Sequence, residues 1–148
     1  MPRQVAPVPA AVLARLRAVV GPAGIIEDAT DIAPYCKSWR DDWNGKVPAV
    51  LRPKSTQEAA RIVGICAQAG VAIVPQGGNT GLTGGSQPHD DMSEVIVSTS
   101  RMNRVRAIDT LNDTLTVEAG VVLELGLADM VPNMDGLDES QRETGLDI

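Results

Sequence analysis

The sequence predicts an α+β fold of α/β-like character, a βαβ unit followed by an antiparallel hairpin, and three observations predict it. Residues 49–52 and 71–74 are apolar runs too short for helices, and between them lies an amphipathic stretch opened by Ser55 and closed by Gly70. Residues 105–109 and 114–118 alternate apolar and polar around the turn Asn112-Asp113, which is the pattern of a hairpin. The second apolar run leads straight into Pro75-Gln76-Gly77-Gly78-Asn79-Thr80-Gly81-Leu82-Thr83-Gly84-Gly85, so a glycine-rich loop sits at the carboxyl end of a strand. Ligands of α/β sheets bind beyond that end. A chain of 148 residues is sized for one domain that buries a core without disulfides.

The elements follow in order. Residues 1–9 are proline-rich and read as extended or disordered. From Ala10 to Val20 the apolar Val12, Leu13, Leu16, Val19 and Val20 recur at helical spacing with Arg15 and Arg17 off that face, and Gly21-Pro22 ends the helix. Ile25-Ile26 leads into Glu27-Asp28-Ala29-Thr30-Asp31, whose acids read as a solvated turn. Tyr35, Trp39 and Trp43 recur every four residues and read as aromatics on one helical face, covering apolar surface. The strand at 49–52 is bracketed by Pro48 and Pro53, neither of which a ladder interior accepts. Ser55-Thr56-Gln57-Glu58 is a capping box: Ser55 accepts from the Glu58 amide while the Glu58 side chain reaches back. Ala59, Ile62, Val63, Cys66 and Ala69 then form one stripe, and Gly70 stands where a left-handed C-cap belongs. After the loop, Gln87-Pro88-His89-Asp90-Asp91 reads as a polar turn, 94–98 as a strand, and Arg101 and Arg104 as either a phosphate clamp or partners in structural ion pairs.

Composition narrows the function. A net charge of −6 argues against a nucleic-acid surface, which needs a basic face to displace counterions. Cys36 and Cys66 have no metal-binding or C-x-x-C spacing and read as reduced thiols of a cytoplasmic protein, with Cys66 in the core. His89, the only histidine, lacks the second imidazole or thiolate that a metal site needs. No run resembles a signal peptide or is long enough to span a bilayer. Phenylalanine is absent, so Val, Ile, Leu and Ala must fill the core.

The loop carries the chemistry. Its five glycines allow close approach to the main chain, and its amide and hydroxyl side chains bring no formal charge, which suits a diphosphate held by oriented N–H groups. A P-loop is excluded because no lysine or arginine occurs from residue 62 to 89, and the G-x-G-x-x-G fingerprint because glycines fall at 77, 78, 81, 84 and 85. With its flanks, from about residue 42 to 122, the loop resembles the pyrophosphate loop of the FAD-binding PCMH-type domain in the vanillyl-alcohol oxidase superfamily. The nearest branch is the FAD-linked dehydrogenases of D-2-hydroxy acids such as D-lactate, glycolate and D-2-hydroxyglutarate. The Ser-Arg-Met-Asn-Arg segment at 100–104 and the Val-Glu-Ala-Gly-Val corner at 117–121 follow in the family's order.

The resemblance implies that this is the first subdomain of a PCMH-type fold, with hydride passing from a 2-hydroxy acid to flavin N5. It implies FAD contacts from Pro75, which sets where the loop begins, and from Gln76, Gly77, Gly78, Asn79, Thr80, Gly81, Gly84, Gly85 and Ser86. Family members with covalent flavin have histidine after the Gly-Gly pair; Asn79 stands here, so non-covalent FAD is expected. The division expected is a helical extension (1–45), a partial FAD-binding domain (46–122) and a divergent acidic tail (123–148). The family's second glycine-rich segment and its substrate domain do not appear in 123–148, so half a cofactor pocket and no catalytic base are expected. Two functions follow: the flavin-binding part of a 2-hydroxy acid dehydrogenase, working as a homodimer or with a complementing polypeptide, or a non-catalytic remnant that binds FAD or another nucleotide weakly.

Overall fold

The computed structural model describes residues 6–38 and 43–122. Among them the chain runs α1 (Ala10–Val20), a 3-10 turn (Pro22–Gly24), β1 (Ile25–Ile26), α2 (Ala29–Cys36), β2 (Val50–Leu51), α3 (Thr56–Ala69), β3 (Ala72–Gln76), β4 (Glu94–Ser98), β5 (Val105–Asp109) and β6 (Thr114–Val117). The fold is mixed α+β, as expected: three helices, a four-stranded mixed sheet of order β1-β2-β4-β3, and a two-stranded antiparallel hairpin β5-β6.

Helix α3 forms for the reasons its sequence carries. Ser55 Oγ accepts from the Glu58 amide at 3.2 Å, and Gly70 closes the helix at φ 67°, ψ 23°. The Glu58 carboxylate does reach back, but to the amide of Lys54 at 2.9 Å, one residue before the cap. The buried stripe is also rotated from the expected one. Ile62 and Cys66 are buried and Ala59 and Ile65 half-buried, whereas Val63 is 54% exposed and Ala69 exposed. The reason is that α3 meets α1 as well as the sheet, and the shared seam lies on the Ile62–Ile65–Cys66 side.

The sheet is covered on both faces, and strand alternation sorts the side chains. Leu51 and Val95 point to the α1/α3 side, where they meet Val8, Val12, Leu16, Val20, Ile62 and Cys66. Their neighbours Val50 and Ile96 point to the other face, with Ile32 and Cys36 of α2, Val47 and Val74. Aliphatic side chains thus carry both clusters. Burial raises the pKa of both thiols, so Cys36 and Cys66 are protonated packing groups.

Two further expectations are corrected here. The acids before α2 are not a turn: Asp28 caps a helix, accepting from Thr30 and Asp31. The aromatics do not share a helical face, because α2 ends at Cys36. Tyr35 packs against the second cluster; Trp43 lies beyond the helix, exposed, with its indole N–H donating to Pro88 O at 2.7 Å; Trp39 is outside the described residues. The βαβ unit forms as expected, with its two strands parallel but not adjacent. β4 lies between β2 and β3 and pairs parallel with both. A return from the end of β3 to the start of β4 must cross the length of the sheet, which requires a connection of a dozen residues or more. Residues 77–93, containing the glycine-rich loop, are that connection.

Candidate functional site

The loop begins two residues later than its composition marks. Pro75 and Gln76 belong to β3, paired with Val97 and Ser98. Proline is tolerated there because β3 is the sheet's edge. Pro75 is exposed, while Gln76 is only 3% exposed and its Nε2 donates to Tyr35 O at 2.8 Å and Ser86 O at 3.0 Å. The last residue of the strand therefore ties the end of α2 to the far limb of the loop.

Asn79 is the second tie. It holds φ 58°, a left-handed conformation that asparagine accepts more readily than most residues. Its Nδ2 donates to Lys37 O at 3.0 Å, and its Oδ1 accepts from Ser86 Oγ at 3.1 Å and Gln87 Nε2 at 2.5 Å. Gly84, at φ 76°, turns the far limb, and Gln87 N donates to Gly84 O.

What the loop leaves unoccupied is its set of main-chain N–H groups. Among the described residues, no N–H from residue 77 to 86 has a hydrogen-bond acceptor. A Cβ added at Gly77, Gly84 or Gly85 would meet no atom within 4 Å, so these faces are open to an approaching group. Thr80 and Gly81 lie on the same exposed limb. Such a run of free donors on an uncharged loop fits a diphosphate, whose oxygens are acceptors only. The residues present therefore fit the pyrophosphate of a dinucleotide.

The flanks are structural. Arg101 donates to Arg52 O at 3.0 Å, and Arg104 pairs with Glu118 at 3.4 Å. Glu118 is buried at the hairpin base, where the Arg104 amide, followed by the Arg104 charge and the side-chain hydrogen bonds of Arg104 and Arg106, holds its pKa below the usual carboxylate value. Gln87-Pro88 is not a polar turn. Both residues are buried, because this limb packs against the 43–46 segment, with Lys46 N donating to His89 O. His89 Nδ1 lies 3.1 Å from Glu94 Oε1, and no cluster of metal-binding side chains occurs among the described residues. Gln87 and the carbonyls of Tyr35 and Lys37 are the participants that sequence reasoning missed. Main-chain acceptors leave no mark in a sequence, and the only signal for Gln87 was its place between Ser86 and Pro88.

A donor-rich loop of this kind, at the carboxyl end of a parallel strand pair in a mixed sheet, is the arrangement expected of a nucleotide-binding α+β domain. The chain belongs to the FAD binding domain family, of PCMH type, whose sequence profile matches residues 47–125. It is 41% identical over 112 residues to the mitochondrial D-2-hydroxyglutarate dehydrogenase of Bos taurus, covering 76% of this chain and 20% of that one. It is 39% identical over 106 residues to the Arabidopsis thaliana enzyme of the same name, covering 72% and 19%. The chain thus spans about a fifth of the length of these curated relatives. In fold it matches an alkyldihydroxyacetonephosphate synthase at a TM-score of 0.72 and 20% identity, covering 87% of this chain and 26% of that one. The chain is accordingly an FAD-binding domain related to D-2-hydroxyglutarate and D-lactate dehydrogenases, and membership implies FAD as its cofactor.

Proposed function

We propose that this chain is the FAD-binding portion of an oxidoreductase that oxidises a D-2-hydroxy acid of the D-lactate, glycolate or 2-hydroxyglutarate class. The observation that carries the reading is the run of unpartnered main-chain N–H groups from residue 77 to 86, with open space at Gly77, Gly84 and Gly85. Oriented amides hold a diphosphate without a positive side chain, so the chain's net charge of −6 is no obstacle to the local site. Gly77, Gly78, Thr80, Gly81, Gly84 and Gly85 present the donors, while Gln76, Asn79 and Ser86 hold the loop in shape through their side chains. Bound FAD supplies, at N5, the acceptor for the hydride that leaves C2 of the hydroxy acid. The base and the substrate-carboxylate site come from outside the described residues, in further sequence or in a partner polypeptide.

FAD is held non-covalently on this reading. The Asn79 amide is not a nucleophile, and both of its polar atoms are occupied, Nδ2 by Lys37 O and Oδ1 by Ser86 and Gln87. The two free cysteines suit a reducing compartment, and the cytoplasm is the one we propose. Titration of the purified chain with FAD, followed by flavin fluorescence and melting temperature, tests the cofactor. Bleaching of the bound flavin by D-lactate, glycolate or D-2-hydroxyglutarate tests the substrate class. Binding without bleaching by any of the three leaves a nucleotide-binding module and removes the dehydrogenase. Flavin that stays with the polypeptide through denaturation and gel filtration removes the non-covalent mode.

A further inference from the structure

Gln87 lies beyond the residues that the loop's composition marks, yet it is 6% exposed, and its Oε1 is buried with no donor. The orientation of its amide follows from its neighbours. Asn79 Nδ2 donates to Lys37 O, so Asn79 Oδ1 must face Ser86 and Gln87, and only the nitrogen of Gln87 can donate to it. Turning the Gln87 amide over would set two carbonyl oxygens face to face. The carbonyl end is therefore left with nothing to accept from, in the cluster that ties the two limbs of the loop together. A buried acceptor without a donor is a cost to the conformation that contains it.

We propose that Gln87 is a cofactor-contacting residue, its Oε1 accepting a hydrogen bond from a sugar hydroxyl of the ligand whose diphosphate lies on the amides of residues 77–86. The inference rests on the functional reading above. A flavin dinucleotide brings two chemistries to this loop: phosphate oxygens, which need donors, and hydroxyls, which need acceptors. The main chain meets the first need, and Gln87 meets the second. Oε1 is buried here, and among the described residues the limb that carries Gln87 is held by the side-chain ties of Asn79 and Gln76 and by a single main-chain hydrogen bond, Gln87 N to Gly84 O. Binding that draws the amides of residues 77–86 onto a diphosphate reshapes the limb and brings a hydroxyl to the unmet acceptor. The hydroxyl belongs to the ribityl chain or to the adenosine ribose, and the ligands below separate the two.

The test is Gln87→Met in this chain, read by dissociation constants for FAD, inorganic pyrophosphate, ADP and FMN and by the melting temperature of the unliganded protein. The expected result is an unchanged or raised melting temperature, FAD binding weakened by about tenfold, the size of one hydrogen bond, and pyrophosphate binding unaltered. A matching loss with FMN assigns the ribityl hydroxyl, and one with ADP assigns the ribose. Equal weakening of FAD and pyrophosphate would mean a framework role and overturns the inference, as does unchanged FAD affinity or a loss shared by neither ADP nor FMN. A wild-type chain that takes up no FAD overturns the functional reading and this inference with it. One measurement needs no substitution: the Gln87 side-chain carbonyl resonance is expected to shift further with saturating FAD than with saturating pyrophosphate, and equal shifts, or none with FAD, overturn the inference.

Discussion

Asn79 combines two features that substitution can separate. Its side chain joins Lys37 O, Ser86 and Gln87, and its backbone sits at φ 58°. Asn79→Ala loses the hydrogen bonds and places a Cβ in the left-handed region, whereas Asn79→Gly loses only the bonds. Urea denaturation is expected to show the alanine variant destabilised by about 1–3 kcal/mol and the glycine variant less so by about 1 kcal/mol. Equal losses would mean that the backbone conformation costs nothing. His89 supplies a pH-dependent contribution. Its hydrogen bond to Glu94, and then the Glu94 charge, raise its pKa from the ordinary 6.5. A raised folded-state pKa stabilises the fold below the unfolded value, and the contribution is lost as pH rises through the folded one. The difference in urea midpoint between wild type and His89→Gln is therefore expected to be greatest below pH about 6.5 and to vanish on the alkaline side. A difference that grows with pH would contradict the pairing.

Helix α3 shows how far local chemistry carries an element. Its start at Ser55 and its end at Gly70 were legible because each is a contact within a few residues. Its buried side was not, since which of Val63 and Ile65 turns inward depends on α1, more than thirty residues earlier in the chain. Gly64 lies inside this helix with no atom near the position of a Cβ. Gly64→Ala is expected to raise stability by about 0.5–1 kcal/mol, measured as a higher urea midpoint at unchanged slope. A loss would show that something packs there. Helix α2 was missed for the opposite reason. Its local signal is a single cap, Asp28, ahead of eight residues that include Pro34, and it is held by burying Ile32 and Cys36 on the sheet.

In the molecule as a whole, the order β1-β2-β4-β3 decides where the glycine loop lies. Because β4 enters between β2 and β3, the loop must travel back along the sheet. Its far limb thereby returns beneath its near one, where Ser86 and Gln87 meet Asn79 and Gln76. A ligand that binds only the folded chain stabilises it by mass action. FAD at about a hundredfold above its dissociation constant is expected to add about 2.7 kcal/mol, or about 5–11 °C in melting temperature for a chain of this size. A melting temperature indifferent to FAD would show that the loop holds no flavin in this chain.

From residue order alone came α1, the caps of α3, the strands other than β1, the hairpin and a donor-rich loop excluded from the two commoner phosphate motifs. Each of these is written in periodicity, capping or turn chemistry within a short stretch of chain. Strand order, the fate of Tyr35 and Trp43, and the division of the loop into open amides and buried ties emerged only in three dimensions. Those depend on partners such as Tyr35 for Gln76 and Lys37 for Asn79, brought together by burial on the two faces of one sheet.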